Sequence, residues 1–268
     1  MIELIQITND PAFARRCDAL DGMRLFVDLE RLGKAERQAG RNTFISRHEI
    51  SDVARVRGAL QRSRLMVRVN PLNPGSAAEL SEVLDAGADI LMLPMFQTPL
   101  ELERFIALVD GRAGVSALLE TGAALASASQ WIATPGLTEV YVGLNDLHAS
   151  LRQRFMFEPL AAGSVEHIAA LAHARGISFG FGGIARLEEG LLSGRDVLAE
   201  QVRLGSRAVI LSRTFHRGDG GAGFEDEVAA LRGAEAALRQ RTPCQAQVDS
   251  ERIAGAIRSI TAGMAQAA

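Results

Sequence analysis

The sequence predicts a (β/α)8 TIM barrel with additional C-terminal helices, and three observations predict it. Short apolar runs rich in β-branched residues recur eight times. Segments rich in Ala, Leu, Arg and Glu with helical spacing separate them. No Pro/Gly/Ser linker or shift of composition divides the chain before residue 217. Strands that are apolar along their whole length are buried on both faces, as in a parallel sheet covered by helices. Eight such units in about 250 residues match a closed barrel. An open doubly wound sheet is the alternative arrangement of the same units.

In chain order the runs are ELIQIT (3–8), RLFVDLE (24–30), LMVRVN (65–70), DILMLP (89–94), VSALLE (115–120), EVYVG (139–143), ISFGFG (177–182) and AVILS (208–212). SAAELSEVLDAGA (76–88) and SVEHIAALAHARG (164–176) exemplify the helices between them. The expected organisation is a single domain over 1–268, with the barrel at about 3–215. RGDGGAGFEDE (217–227) is glycine-rich and predicts a mobile loop. Two helices follow within 228–268, placed either for subunit contacts or to cap their own barrel.

Composition narrows the function. A net charge of −3 from 29 basic and 32 acidic residues offers no surface suited to nucleic acid or an anionic membrane, which leaves small-molecule chemistry. Cys17 and Cys244 match no metal or redox spacing, so reduced thiols and a cytoplasmic location are expected. The opening MIELIQITNDPAFARRC has no signal-peptide apolar core, and no segment approaches the ~20 apolar residues of a membrane span.

In a barrel of this kind chemistry sits at the C-terminal strand ends. Those ends carry Asp28 and Glu30, Arg68 and Asn70, Glu120, Asp146, and the glycine-rich FGFGGIAR (179–186). Any one of them alone fits a solvated turn. Glu120 and Asp146 follow neighbouring strands about 4.8 Å apart, so their carboxylates can converge. Two hard oxygen ligands with room for water suit Mg²⁺ or Mn²⁺ better than zinc. Arg68 stays charged and needs a carboxylate partner, Asp28 or Glu30, or an anionic ligand. A cation beside a guanidinium would hold a 2-oxo acid and stabilise its enolate.

The motifs LFVDLE, LMVRVNP, GADILMLPMF, ALLET and VGLNDL, in this order over roughly residues 3–215, resemble the HpcH/HpaI aldolase and citrate lyase β-subunit family of the phosphoenolpyruvate/pyruvate barrel superfamily. The resemblance implies a metal-dependent (class II) carbon–carbon lyase. It matches Glu120 and Asp146 to the metal ligands and Arg68 to the arginine contacting the 2-oxo acid. The backbone N–H groups around Gly143, Leu144 and Asn145 match a loop that takes the substrate carboxylate. A homo-oligomer, hexamer or trimer, is implied as well.

Two positions depart from the aldolase pattern. Arg31 stands where a histidine linked to acid–base work is expected, and Leu118 where a glutamine is expected. The DLE and LLET forms resemble the citrate lyase side, whose members act on acyl-CoA or acyl-carrier thioesters. Replacement bases are His48 and His148. Ser46-x-x-Glu49 reads as a capping box that would leave His48 exposed, and His148 reads equally as a cap of its helix. His167, His173 and His216 read as surface residues. Phe155, Met156 and Phe157 fit core packing, a lid or a subunit contact. Two other functions stay open: a phosphate-binding isomerase using the glycines after the seventh and eighth strands, and a barrel without catalysis.

Overall fold

The computed structural model describes residues 1–34, 46–216 and 223–266. Among them the order is β1 (Glu3–Ile7), α1 (Pro11–Asp18), β2 (Met23–Asp28), α2 (Ile50–Arg57), β3 (Arg64–Arg68), α3 (Ser76–Asp85), β4 (Ile90–Leu93), α4 (Pro99–Val109), β5 (Gly114–Leu119), α5 (Gly122–Ala126), α6 (Ala128–Trp131) and β6 (Leu137–Val142). It continues with α7 (Leu144–Ser150), α8 (Glu158–Ala161), α9 (Ser164–His173), β7 (Ser178–Ile184), α10 (Gly194–Arg203), β8 (Ala208–Leu211), α11 (Phe224–Leu238) and α12 (Pro243–Gln266). The strands pair in chain order and close into a parallel barrel surrounded by helices. The chain forms two compact units, Ile5–Tyr141 and Met1–Leu4 with Val142–Ala268.

In the first unit, β2 is buried at every position. Its residues Leu25, Phe26 and Val27 lie in register with Leu65, Met66 and Val67 of β3. Caps fix the helix entries: Asp10 accepts from Ala12 N at 2.8 Å ahead of Pro11, and Thr98 and Glu101 form a capping box ahead of Pro99. Arg24, 1% exposed, donates to Glu139 at 2.7 and 3.0 Å, and Ser116 Oγ donates to the same carboxylate at 2.9 Å. Removing one partner would strand a buried charge. Arg24→Met is therefore expected to cost about 3–5 kcal/mol of unfolding free energy in urea titration, and adding Glu139→Leu to recover most of it.

In the second unit, β7 pairs with β8 across an irregularity between Gly180 and Gly183. Gly182 has φ +58°, and a Cβ there would stand 3.0 Å from Leu144 Cδ1. Gly194, at the start of α10, lies so close to Ala185 that a Cβ would sit 2.3 Å from its carbonyl oxygen. These glycines serve close packing. The stretch read as a phosphate turn after the seventh strand is largely the strand itself, which leaves little of the motif behind the isomerase alternative.

Element ends differ from expectation elsewhere. Phe224–Glu227, assigned to the mobile loop, begins α11, where Asp226 accepts from Gly223 N at 3.2 Å. Residues 217–222 of that expected loop lie outside the described residues. The last helix starts at Pro243, ahead of its acidic stretch, because Thr242 and Gln245 exchange bonds that cap it. Ile253 and Ile257, each 1% exposed, pack α12 onto its own unit. Cys17 is buried, Cys244 is exposed, and neither forms a disulfide. Among the described residues no helix is long and apolar enough to cross a membrane.

Candidate functional site

Asp28 ends β2, Arg68 ends β3, and the two are register partners. Adjacent strands thus place a carboxylate and a guanidinium side by side. Arg68 Nε and Nη2 donate to Asp28 Oδ1 and Oδ2 at 2.9 and 2.8 Å, a bidentate pair. Lys34 Nζ donates to Asp28 Oδ2 at 2.6 Å and lies 3.4 Å from Glu30 Oε2. Asp28, Glu30 and Lys34 are all buried, whereas the Arg68 side chain is 16% exposed. The structural pairing foreseen for Arg68 is present with both acids: Asp28 takes the edge made by Nε and Nη2, and Glu30 lies on the Nη1 side. Among the described residues Nη1 makes no hydrogen bond; it stands 3.4 Å from Glu30 and 3.8 Å from Glu120.

Burial alone would raise the Asp28 pKa, but Arg68 and then Lys34 outweigh it and hold the carboxyl well below the usual range. Burial likewise opposes the charge on Arg68, and Asp28, Glu30 and Glu120 reverse that. A carboxylate depressed in the folded state contributes stability above its unfolded pKa and loses it as the pH falls toward the folded value. Unfolding free energy is expected to drop below about pH 4, the unfolded aspartate range. Asp28→Asn should flatten that acid limb in denaturant titrations.

Glu120 follows β5 and is 3% exposed. Thr121, just after it, accepts from Ala124 N at 3.1 Å and donates to Phe96 O at 2.9 Å, which anchors the backbone. Glu120 Oε2 accepts from Met95 N at 3.3 Å. Met95 has φ +57°, a left-handed conformation that costs a non-glycine residue on the order of 1 kcal/mol and here turns its N–H toward the carboxylate.

His48 is not exposed, as a capping box at Ser46 would have left it; it is 7% exposed. The helix begins three residues later, with Asp52 accepting from Glu49 N at 2.9 Å. His48 Nδ1 accepts from Asp28 N at 3.1 Å, so the neutral ring carries its proton on Nε2. Burial, joined by Lys34 and opposed by Asp28, keeps its pKa below the ordinary value.

In the second unit, Gly143 caps α7, and Leu144, Asn145 and Asp146 form its first turn rather than a loop. Leu144 is buried under Gly182, which fixes that turn. His148 Nδ1 bonds Leu144 O at 3.0 Å, so its proton is on Nδ1 and Nε2 keeps a lone pair. The two candidate histidines hold opposite tautomers, and only His148 presents a basic nitrogen. Phe155 and Phe157 are buried and meet edge to face at 5.4 Å, the core reading of that run. Arg152, Arg154 and Arg258 line a groove of about 590 Å³ with Glu158.

The structure brings Arg68 and His48 onto Asp28 and sets Glu120 3.8 Å from Arg68 Nη1, while α7 carries Asp146, His148 and the first turn after Gly143. Lys34 and Met95 went unnoticed in the sequence. Lys34 had a signal, its i, i+4 spacing from Glu30; Met95 had none. Among the described residues no group of three or more His, Cys, Asp or Glu side chains is disposed to hold a metal ion.

The family model described as HpcH/HpaI aldolase/citrate lyase matches residues 24–185, from β2 through β7 and across every candidate above. The chain belongs to that family. A (3S)-malyl-CoA thioesterase of Cereibacter sphaeroides (strain KD131 / KCTC 12085) is 34% identical over 140 residues, 49% of this chain and 49% of that protein. The match therefore spans about half of that relative's length. A citrate lyase β subunit from M. tuberculosis, complexed with oxaloacetate and magnesium, superposes with a TM-score of 0.60 at 19% identity, covering 87% of this chain and 96% of that one. A family protein from Burkholderia cenocepacia J2315 gives 0.64 at 17%, covering 89% and 95%. At these identities the structural likeness shows the fold.

Proposed function

We propose that the chain is a divalent-metal-dependent carbon–carbon lyase that cleaves or forms adducts of a 2-oxo acid. The observation that carries this is Arg68: a guanidinium held on one edge by Asp28, whose Nη1 stands 3.4 Å from Glu30 and 3.8 Å from Glu120 without a hydrogen bond among the described residues. That nitrogen suits the carboxylate or carbonyl oxygen of a 2-oxo acid. In this reading Glu120 and Asp146 would hold Mg²⁺ or Mn²⁺, since each offers hard carboxylate oxygens and Glu120 stands beyond hydrogen-bonding reach of Arg68. Such an ion, when bound, supplies Lewis acidity toward the carbonyl oxygen.

The chain's own groups do the rest. Arg68 orients the oxo acid, and the N–H groups of the α7 first turn, around Gly143, Leu144 and Asn145, take its carboxylate. In cleavage the 4-hydroxyl proton leaves to a base, the C3–C4 bond breaks, and its electron pair becomes the enolate, which is then protonated at C3. His148, with Nε2 unprotonated, is the base this tautomer supports; His48 supports donation instead.

A second reading, a lyase or hydrolase of thioesters, is favoured by the arginine-lined groove and by the name of the Cereibacter relative. A cytoplasmic homo-oligomer accords with either. The experiment is pyruvate release from oxaloacetate and from 4-hydroxy-2-oxo acids with Mg²⁺ or Mn²⁺, then with EDTA. Turnover lost to EDTA and restored by metal is expected; metal-independent turnover, or none, would overturn the proposal.

A further inference from the structure

We propose that Lys34 is a positioning residue for substrate binding: it receives the Glu30 carboxylate when an anionic substrate claims Nη1 of Arg68. The inference rests on the lyase assignment above and names the residue that keeps its arginine open.

Glu30 Oε2 stands 3.4 Å from Lys34 Nζ and 3.4 Å from Arg68 Nη1, so one oxygen lies equidistant from two cations. Charge-assisted contacts close to about 2.7–2.9 Å where one partner is settled. Lys34 and Arg68 both meet Asp28 that way, at 2.6 and 2.8 Å on the same Oδ2. The two acids are therefore unequal: Asp28 is locked between the cations, and Glu30 is shared by them. The Glu30 backbone is tied down separately, its N donating to Asp28 Oδ1 at 3.2 Å. Only its side chain has to move for Oε2 to pass from Nη1 to Nζ.

The charges explain why a second cation is needed. Asp28, Glu30 and Lys34 are buried, so water screens little of the field between them. Glu120 adds a third carboxylate, 3.8 Å from Nη1. Against Arg68 alone, three carboxylates would face one guanidinium, and the carboxylate of a substrate would be a fourth. A ligand on Nη1 displaces Glu30 from Arg68, and stranding a buried carboxylate costs about 3–5 kcal/mol. Lys34 removes that penalty. Its ammonium carries three donors, of which Asp28 takes one, and its flexible stem suits an exchange of partners that a rigid fork does not. In a Lys34→Met variant, Arg68 is the one of these two cations left to Glu30, which then closes on Nη1 and competes with the substrate for it.

The test uses the full chain with Mg²⁺, following oxaloacetate decarboxylation at steady state and oxalate binding by isothermal titration calorimetry, beside a melting curve. Expected for Lys34→Met is a KM for oxaloacetate and a Kd for oxalate at least about tenfold higher, about 1.4 kcal/mol, with kcat within about threefold. Lys34→Arg, which keeps a cation, should return both constants to within about threefold of the unmodified chain. Adding Glu30→Gln to Lys34→Met removes the competing carboxylate and should recover oxalate affinity to the same extent. That double variant loses one charge of each sign, so it reads the inference even where Lys34→Met alone fails to fold. Unchanged oxalate affinity in Lys34→Met, a loss confined to kcat, or a double variant that binds oxalate about tenfold or more weakly than the unmodified chain would overturn the role of Lys34. Turnover by the unmodified chain would leave the lyase assignment standing in each of those cases. An unmodified chain that neither turns over oxaloacetate nor binds oxalate would overturn the lyase assignment and this inference with it.

Discussion

Arg68→Lys is expected to lower kcat/KM for a 2-oxo acid by on the order of a hundredfold, about 3 kcal/mol of transition-state stabilisation. Lysine keeps the positive charge, so Asp28 stays paired and the thermal midpoint should move by only a few degrees. What lysine lacks is the planar fork. In the native site Nε and Nη2 serve Asp28 while Nη1 stands near Glu30 and Glu120, and one ammonium cannot hold both directions. Steady-state kinetics beside a melting curve separate the two effects. Undiminished activity in the Arg68→Lys variant would mean that Arg68 is a structural pair and nothing more.

Glu120→Gln and Asp146→Asn should each abolish metal-dependent turnover while the chain remains folded. Both replacements keep the shape and remove the charge that a divalent ion requires. Mn²⁺ binding followed by electron paramagnetic resonance should weaken in each by about a hundredfold or more, about 3 kcal/mol. Binding and catalysis are read separately, so a variant that binds Mn²⁺ normally yet turns over nothing would reassign that carboxylate to the chemistry itself. A variant active in EDTA would remove the metal from the scheme.

Much of this site was legible because strand ends are legible. An apolar run that finishes in Asp28, or in Arg68, puts the charge where the barrel opens, and neighbouring strands then make Asp28 and Arg68 partners without further information. The fold followed from the same runs. Histidine roles were not legible, because a tautomer depends on which backbone group each ring nitrogen meets: Asp28 N for His48 and Leu144 O for His148. Ser46 and Glu49 compete as plausible caps of one helix, and only the packed position of His48 shows which one starts it. The glycines of β7 look alike in sequence whether they cradle a phosphate or make room for Leu144.

The Asp28–Arg68 pair also acts as a gauge of strand alignment. Side chains alternate along a strand, so sliding β3 by one residue against β2 would turn Arg68 to the opposite face and leave Asp28 and Lys34 buried without it. A chain closed in the wrong register thus lacks both the Asp28–Arg68 fork and a share of its stability. The same two residues that would seat the substrate discriminate against misaligned closure during folding, and a fork-less variant should refold into a more heterogeneous population than its equilibrium stability alone would imply.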